Sequence, residues 1–241
     1  MIAPRPPRFY FSFRSPYSWL AARVIGGLGS ADRDGISYIP FWEPDEITLR
    51  ALHALGGEFL YTPMSRAKHL YILEDIRRLA TSAGVRYAWP IDVNPWWELP
   101  HLAYFAARGC GKGREFFDAT YRARWEQGRN ICDERTIVEI GAEIGVSPEV
   151  LVGAPNDAEI RRAGAEALYE CYRDGVFGVP FFVHLREKFW GVDRLDAFIR
   201  ALGAGEERDG RSDVAPRQPP ALVPAAGEVG GADVDHAGGC G

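Results

Sequence analysis

"FYFSFRSPYSWLAARVIGGLG", Phe9 to Gly29, decides how the rest of the chain is read. Phe9 to Phe13 has the aromatic-rich composition of a buried strand. Ser15 followed by Pro16 is a helix start, with serine as N-cap and proline at the first helical position, and the helical spacing runs to about Gly27. A strand that turns directly into a helix leaves free N–H groups and the positive end of the helix dipole at the corner, where an anion is stabilised. In several redox proteins such a corner carries Cys-x-x-Cys, one thiol being activated by the helix end. Here the two positions are Ser15 and Ser18, and two hydroxyls form no disulfide. The Ser15 hydroxyl either caps the helix or donates a hydrogen bond to a thiolate carried in by a small molecule. The corner alone leaves both roles open.

Outward from the corner, Ile36 to Phe41 reads as a second strand. Near the other end, "GVPFFVHLREKFWG" gives two short strands, Val179 to Leu185 and Lys188 to Trp190, joined by a polar turn. In "VDRLDAFIRALG", Leu195, Phe198, Ile199 and Leu202 share one face of a closing helix. Pro180 donates nothing to a ladder and so belongs at a strand start or edge, which leaves the Val179 backbone open to an extended ligand. Asp193, at the start of the last helix, either complements the dipole or meets a ligand's ammonium group.

Residues 42–178 are too many for a structureless loop. Helices are expected at 65–84, with Ala67, Leu70, Tyr71, Ile76, Leu79, Ala80 and Ala83 facing inward, and at 99–108, 113–127, 133–144, 147–152 and 157–173. Ser147-Pro148 repeats the cap-plus-proline signal, and "YAWPIDVNPWWELP" reads as an irregular packed connection. Residues 204–241, rich in Gly, Pro, Ala and charge and nearly free of aromatics, are expected to form a disordered tail.

Composition excludes several function classes. The formal net charge of −5 argues against nucleic acid as partner. No run of apolar residues is long enough to span a membrane, and the N-terminus lacks the apolar core of a secretory signal, so a cytoplasmic protein is expected. Cys110, Cys132, Cys171 and Cys240 have neither metal-ligand nor Cys-x-x-Cys spacing, so no metal site is expected. Trp19, Trp42, Trp89, Trp96 and Trp97 serve either the core or the wall of an aromatic substrate site.

Taken in order, "FYFSFRSPYSWLA", "GVFGVPFF" and "FWGVDRLDAF", supported by "AKHLYILEDIRRLA" and "RWEQGRNICDE", resemble the 2-hydroxychromene-2-carboxylate isomerases. These belong to the DsbA-like thioredoxin-fold superfamily, close to kappa-class glutathione transferases. The resemblance covers about 8–202. It implies an α/β, thioredoxin-like fold (8–41 and 179–203) with a large all-helical insertion (42–178), as a homodimer. It further implies that glutathione, or another small thiol, binds as cofactor. Ser15 would contact its sulfur and be the catalytic residue; Val179 and Pro180, the latter in a cis peptide, would pair with its cysteinyl part; Asp193 would meet its γ-glutamyl end. The implied reaction is a cis–trans isomerisation of an aromatic or polyene conjugated oxo-acid. A kappa-type transferase, a cofactor-independent isomerase and a binding protein on the same scaffold are the alternatives.

Overall fold

The computed structural model describes residues 5–208. Strand β1 (Arg8–Phe11) leads into α1 (Pro16–Gly26), and a short α2 (Ser30–Asp34) into β2 (Ser37–Pro40). Next come α3 (Glu46–Ala54), α4 (Arg66–Ser82), α5 (Glu98–Gly109), α6 (Gly113–Tyr121), α7 (Glu134–Ile144), α8 (Pro148–Gly153) and α9 (Ala158–Asp174). The hairpin β3 (Phe181–His184) and β4 (Glu187–Trp190) and the helix α10 (Leu195–Arg208) close the fold.

The four strands form one sheet in the order β2-β1-β3-β4, with β1 parallel to β2 and antiparallel to β3. Strand–helix–strand followed by hairpin–helix, interrupted by α3–α9, is the expected thioredoxin-like fold with a helical insertion. Being central and covered on both faces, β1 tolerates an unbroken aromatic run where a half-exposed strand would alternate. On one face Phe9 stacks on Phe182 at 5.1 Å, and Phe182 on Phe198 of α10 at 4.8 Å. On the same side Phe11 meets Phe117 of α6 edge-on at 4.8 Å. Tyr10 points the other way, into a cluster with Phe181, Val183 and Cys171. The Arg8 guanidinium (2.7 Å) and the Tyr10 hydroxyl both donate to Asp174 at the end of α9, which ties the strand start to the insertion.

Capping chemistry sets the boundaries. Asp133 and Asp157 cap α7 and α9 with their side chains, and Gly145 and Gly175 end them at φ of 74° and 70°, where a Cβ would be strained. Leu195, Phe198 and Ile199 are buried as expected.

Other expectations need correction. The helix α3 was unanticipated, although Asp45 caps it by accepting from the N–H groups of Ile47 and Thr48. Helix α4 buries only the narrow stripe of Ile72, Ile76 and Ala80, so Leu70 and Tyr71 stand in solvent. The helix expected through 127 leaves α geometry at Tyr121 and continues as a π-helical turn, Arg122–Glu126. Ser147 turns its hydroxyl to Glu149 instead of capping α8. The first strand of the hairpin starts at Phe181 rather than Val179 and stops at His184, since Leu185 enters the turn at φ 54°. Helix α10 continues past 203 to Arg208, and the rest of the expected tail, 209–241, lies outside the described residues.

Candidate functional site

The corner between β1 and α1 is held at almost every backbone polar group. The Ser12 carbonyl accepts from the Tyr121 hydroxyl at 2.9 Å and from the Ser15 N–H at 3.1 Å. The Phe13 carbonyl accepts from Trp125 Nε1 at 3.0 Å, and the Arg14 N–H donates to Ser12 Oγ at 3.3 Å. The Phe13 N–H donates to Nε2 of His101 at 3.2 Å, which requires that nitrogen to be unprotonated. The proton then sits on Nδ1, which donates to the Trp97 carbonyl at 2.7 Å. Trp42 stacks on the imidazole, 5.2 Å between centroids and 8° from parallel. Burial pushes the His101 pKa down to about 3, so the ring is neutral at physiological pH.

None of the three clamps, His101, Tyr121 and Trp125, was visible as a site residue in the sequence. All come from the insertion, and a single chain offers no signal for them beyond the helical spacing of Trp97 and His101. The π turn that carries Trp125 also carries Arg124, whose side chain is 2% exposed. Both of its Nη atoms donate to Asp92 at 2.8 Å, and its guanidinium packs on Trp97 and Trp125 at 5.0 and 4.9 Å.

The expected residues fall as follows. Ser15 is the N-cap of α1, and its Oγ accepts from the Ser18 N–H at 3.1 Å. It is fully buried, and its own proton points to the Val179 carbonyl at 3.4 Å. That separation exceeds the usual range for a hydroxyl donor, so the donor is only weakly used. The Val179–Pro180 peptide is cis. Ser15 and Val179 are thus brought together across the β1 and β3 ends of the sheet. Ser18 Oγ accepts from the Ser12 N–H at 3.4 Å, a structural task. Asp193 lies on a 3₁₀ turn (Val192–Arg194) and pairs with Arg194 at 2.8 Å rather than with the corner. The turn is tethered to the site through the Gly191 N–H, which donates to the Pro180 carbonyl at 2.9 Å. Trp190, opposite Phe181 in the β3–β4 register, has a buried Nε1–H without a partner among the described residues.

Of the five tryptophans weighed as substrate-site walls, Trp19, Trp42 and Trp97 are core residues, whereas Trp89 and Trp96 are partly open. Cys132 is half-buried, and the burial of its thiol pushes the pKa up to about 12, so it is no ready nucleophile. Among the described residues no group of His, Cys, Asp or Glu could hold a metal ion, and no helix is long and apolar enough to cross a membrane.

Three similarities accompany this geometry. The chain is 29% identical over 197 residues to a 2-hydroxychromene-2-carboxylate isomerase of Sphingobium xenophagum, covering 78% of this chain and 93% of the relative. A solved 2-hydroxychromene-2-carboxylate isomerase superposes with a TM-score of 0.67 at 21% identity, covering 84% of this chain and 97% of that one. The cytosolic disulfide reductase DsbM of Pseudomonas aeruginosa, solved with GSH, superposes with a TM-score of 0.55 at 17% identity, covering 84% and 98%. The family model for a DSBA-like thioredoxin domain matches residues 8–203, nearly the whole described fold. The chain belongs to the DSBA-like thioredoxin domain family.

Proposed function

We propose that the protein is a glutathione-dependent isomerase that interconverts the cis and trans forms of an aromatic, conjugated oxo-acid. One observation carries the reading: the Ser15 hydroxyl stands at the N-terminus of α1, opposite the cis Val179–Pro180 peptide, in a corner with no thiol of its own. Sulfur chemistry there needs sulfur from outside. The name of the Sphingobium xenophagum relative supports the reaction class, and the DsbM neighbour solved with GSH supports the thiol.

The residues present fit such a thiol. Ser15 holds a weakly used O–H that a sulfur anion would accept better than the Val179 carbonyl does. The end of α1 adds a positive potential at the same point. Val179 and Pro180 would hold the extended part of the tripeptide, and Asp193 would serve the ammonium end. When bound, the thiol supplies a nucleophile that adds reversibly to an alkene conjugated with a carbonyl, so that the bond rotates before the alkene is restored. The contribution of the chain is to lower the cost of the thiolate at Ser15 and to keep the corner rigid through His101, Tyr121 and Trp125. Disulfide exchange does not fit, because Ser15 and Ser18 occupy both corner positions. A cytoplasmic homodimer completes the proposal; thiols stay reduced in that compartment.

The test follows the ultraviolet spectrum of trans-o-hydroxybenzylidenepyruvate with the protein, with and without glutathione. Turnover that requires glutathione is expected. Turnover without any thiol would move the assignment to a cofactor-independent isomerase, and no change at all would leave a binding protein on this scaffold.

A further inference from the structure

Two arginines share the Trp97 ring. Arg124 lies at 5.0 Å from its centroid and Arg14 at 5.5 Å. Their charges are treated differently. Arg124 is buried and spends two donors on Asp92 at 2.8 Å, so its charge is neutralised in place. Among the described residues the only carboxylate Arg14 reaches is Glu43, at 3.5 Å, and the Glu43 side chain is 59% exposed. Two other arginines that are little exposed resemble Arg124: Arg8 meets Asp174 at 2.7 Å, and Arg161, its side chain 13% exposed, meets Asp45 at 2.9 and 3.0 Å. Arg14 is therefore held in position by an aromatic face while its ion pair stays loose. Glu43 also borders a cavity of about 790 Å³ with Leu49, His53 and Phe59, so its carboxylate has room to move off.

Arg14 immediately precedes Ser15, and its N–H is fixed on Ser12 Oγ at 3.3 Å. We infer that Arg14 is the specificity residue that anchors the carboxylate of the substrate, with Glu43 as its partner at rest. This rests on the isomerase reading above. In a conjugated 2-oxo acid, the carbon that a sulfur nucleophile attacks lies three bonds from the carboxylate. Arg14 would supply the cation for that carboxylate from the same strand-to-helix corner that carries Ser15, its side chain held there by Trp97 and Glu43. The guanidinium fork suits a carboxylate in two-point contact, and its position on Trp97 lowers the entropy lost when it binds. Trp96 and Trp89, on the same connection as Trp97, are partly exposed aromatics on which the aryl part would pack.

The experiment measures binding calorimetrically with 2-oxo-4-phenylbutanoate, which has no alkene to isomerise, and with the uncharged 4-phenylbutan-2-one. Arg14→Met should weaken the oxo-acid about thirtyfold, the usual weight of a charge-assisted contact. It should change the ketone less than about threefold, with Arg14→Lys restoring part of the loss and Glu43→Gln tightening the acid. Equal weakening of both compounds, or no weakening of either, overturns the assignment, as does wild-type protein that binds no oxo-acid. If Arg14-dependent binding holds while trans-o-hydroxybenzylidenepyruvate is not turned over, the anchor stands and the isomerase reading falls.

Discussion

His101 makes the stability of the corner depend on pH. The ring is fully buried, with Nε2 accepting from Phe13 and Nδ1–H donating to Trp97. Neither nitrogen is free to take a second proton without losing the Phe13 bond. The pKa falls from 6.5 to about 3 chiefly through burial. Below 6.5 the unfolded chain therefore binds a proton that the native state refuses. The stabilising contribution is complete above that value and is lost as the pH falls from 6.5 toward about 3. At about 1.4 kcal/mol per unit, lowering the pH to about 5 removes about 2 kcal/mol. Other groups act in the same range. Burial also lowers the His184 pKa, adding loss of the same sign, whereas Glu98 is raised by burial and gains stability on acidification. The comparison that isolates His101 is with His101→Gln, whose amide oxygen can accept from Phe13 without titrating. Urea unfolding at about pH 7.5 and about pH 5 should show the wild type losing about 2 kcal/mol more than the variant. Equal losses would refute the buried, neutral imidazole.

Three further outcomes are expected. Ser15→Ala should lower turnover about a hundredfold, the scale of losing one donor to a developing anion, and reduce stability by only about 1 kcal/mol as a lost cap; steady-state rates and urea unfolding report the two separately. Asp92→Ala leaves the Arg124 charge buried between Trp97 and Trp125 and should cost about 3 kcal/mol, against under about 0.5 kcal/mol for Asp118→Ala on the surface of α6, measured by urea unfolding. In Gly164→Ala the new Cβ would stand 2.7 Å from Leu102 Cδ2 and 3.3 Å from Trp42 Cη2, forcing apart the α9–α5 contact behind the His101 stack. A loss of about 1–3 kcal/mol in unfolding free energy is expected.

The strand-to-helix corner was legible because its determinants are local. Ser15 and Pro16 state the helix start by themselves, and the aromatic run of β1 states its burial. Pro180 was legible as a strand-start residue for the same reason. The residues that hold the corner were not, since His101, Tyr121 and Trp125 reach it from 88, 109 and 112 positions away, and no spacing rule relates them. On α4, Leu70 and Tyr71 have helical periodicity but stay exposed, Tyr71 meeting only the Arg78 and Asp75 side chains of its own helix among the contacts of the described residues. The packing of α4 is decided by the narrow stripe of Ile72, Ile76 and Ala80. The π turn at Arg122–Glu126 escaped because its sequence is a sound α-helix; tertiary contacts of Arg124 and Trp125 reward the wider turn.

The central claim is that Ser15 holds a sulfur that is borrowed and returned. It is tested most directly by counting free thiol while wild-type protein turns over a large excess of trans-o-hydroxybenzylidenepyruvate with a small amount of glutathione. Many product molecules per glutathione, with the thiol count unchanged at the end, are expected. One thiol consumed for each molecule converted would contradict the claim and mark the protein as a transferase.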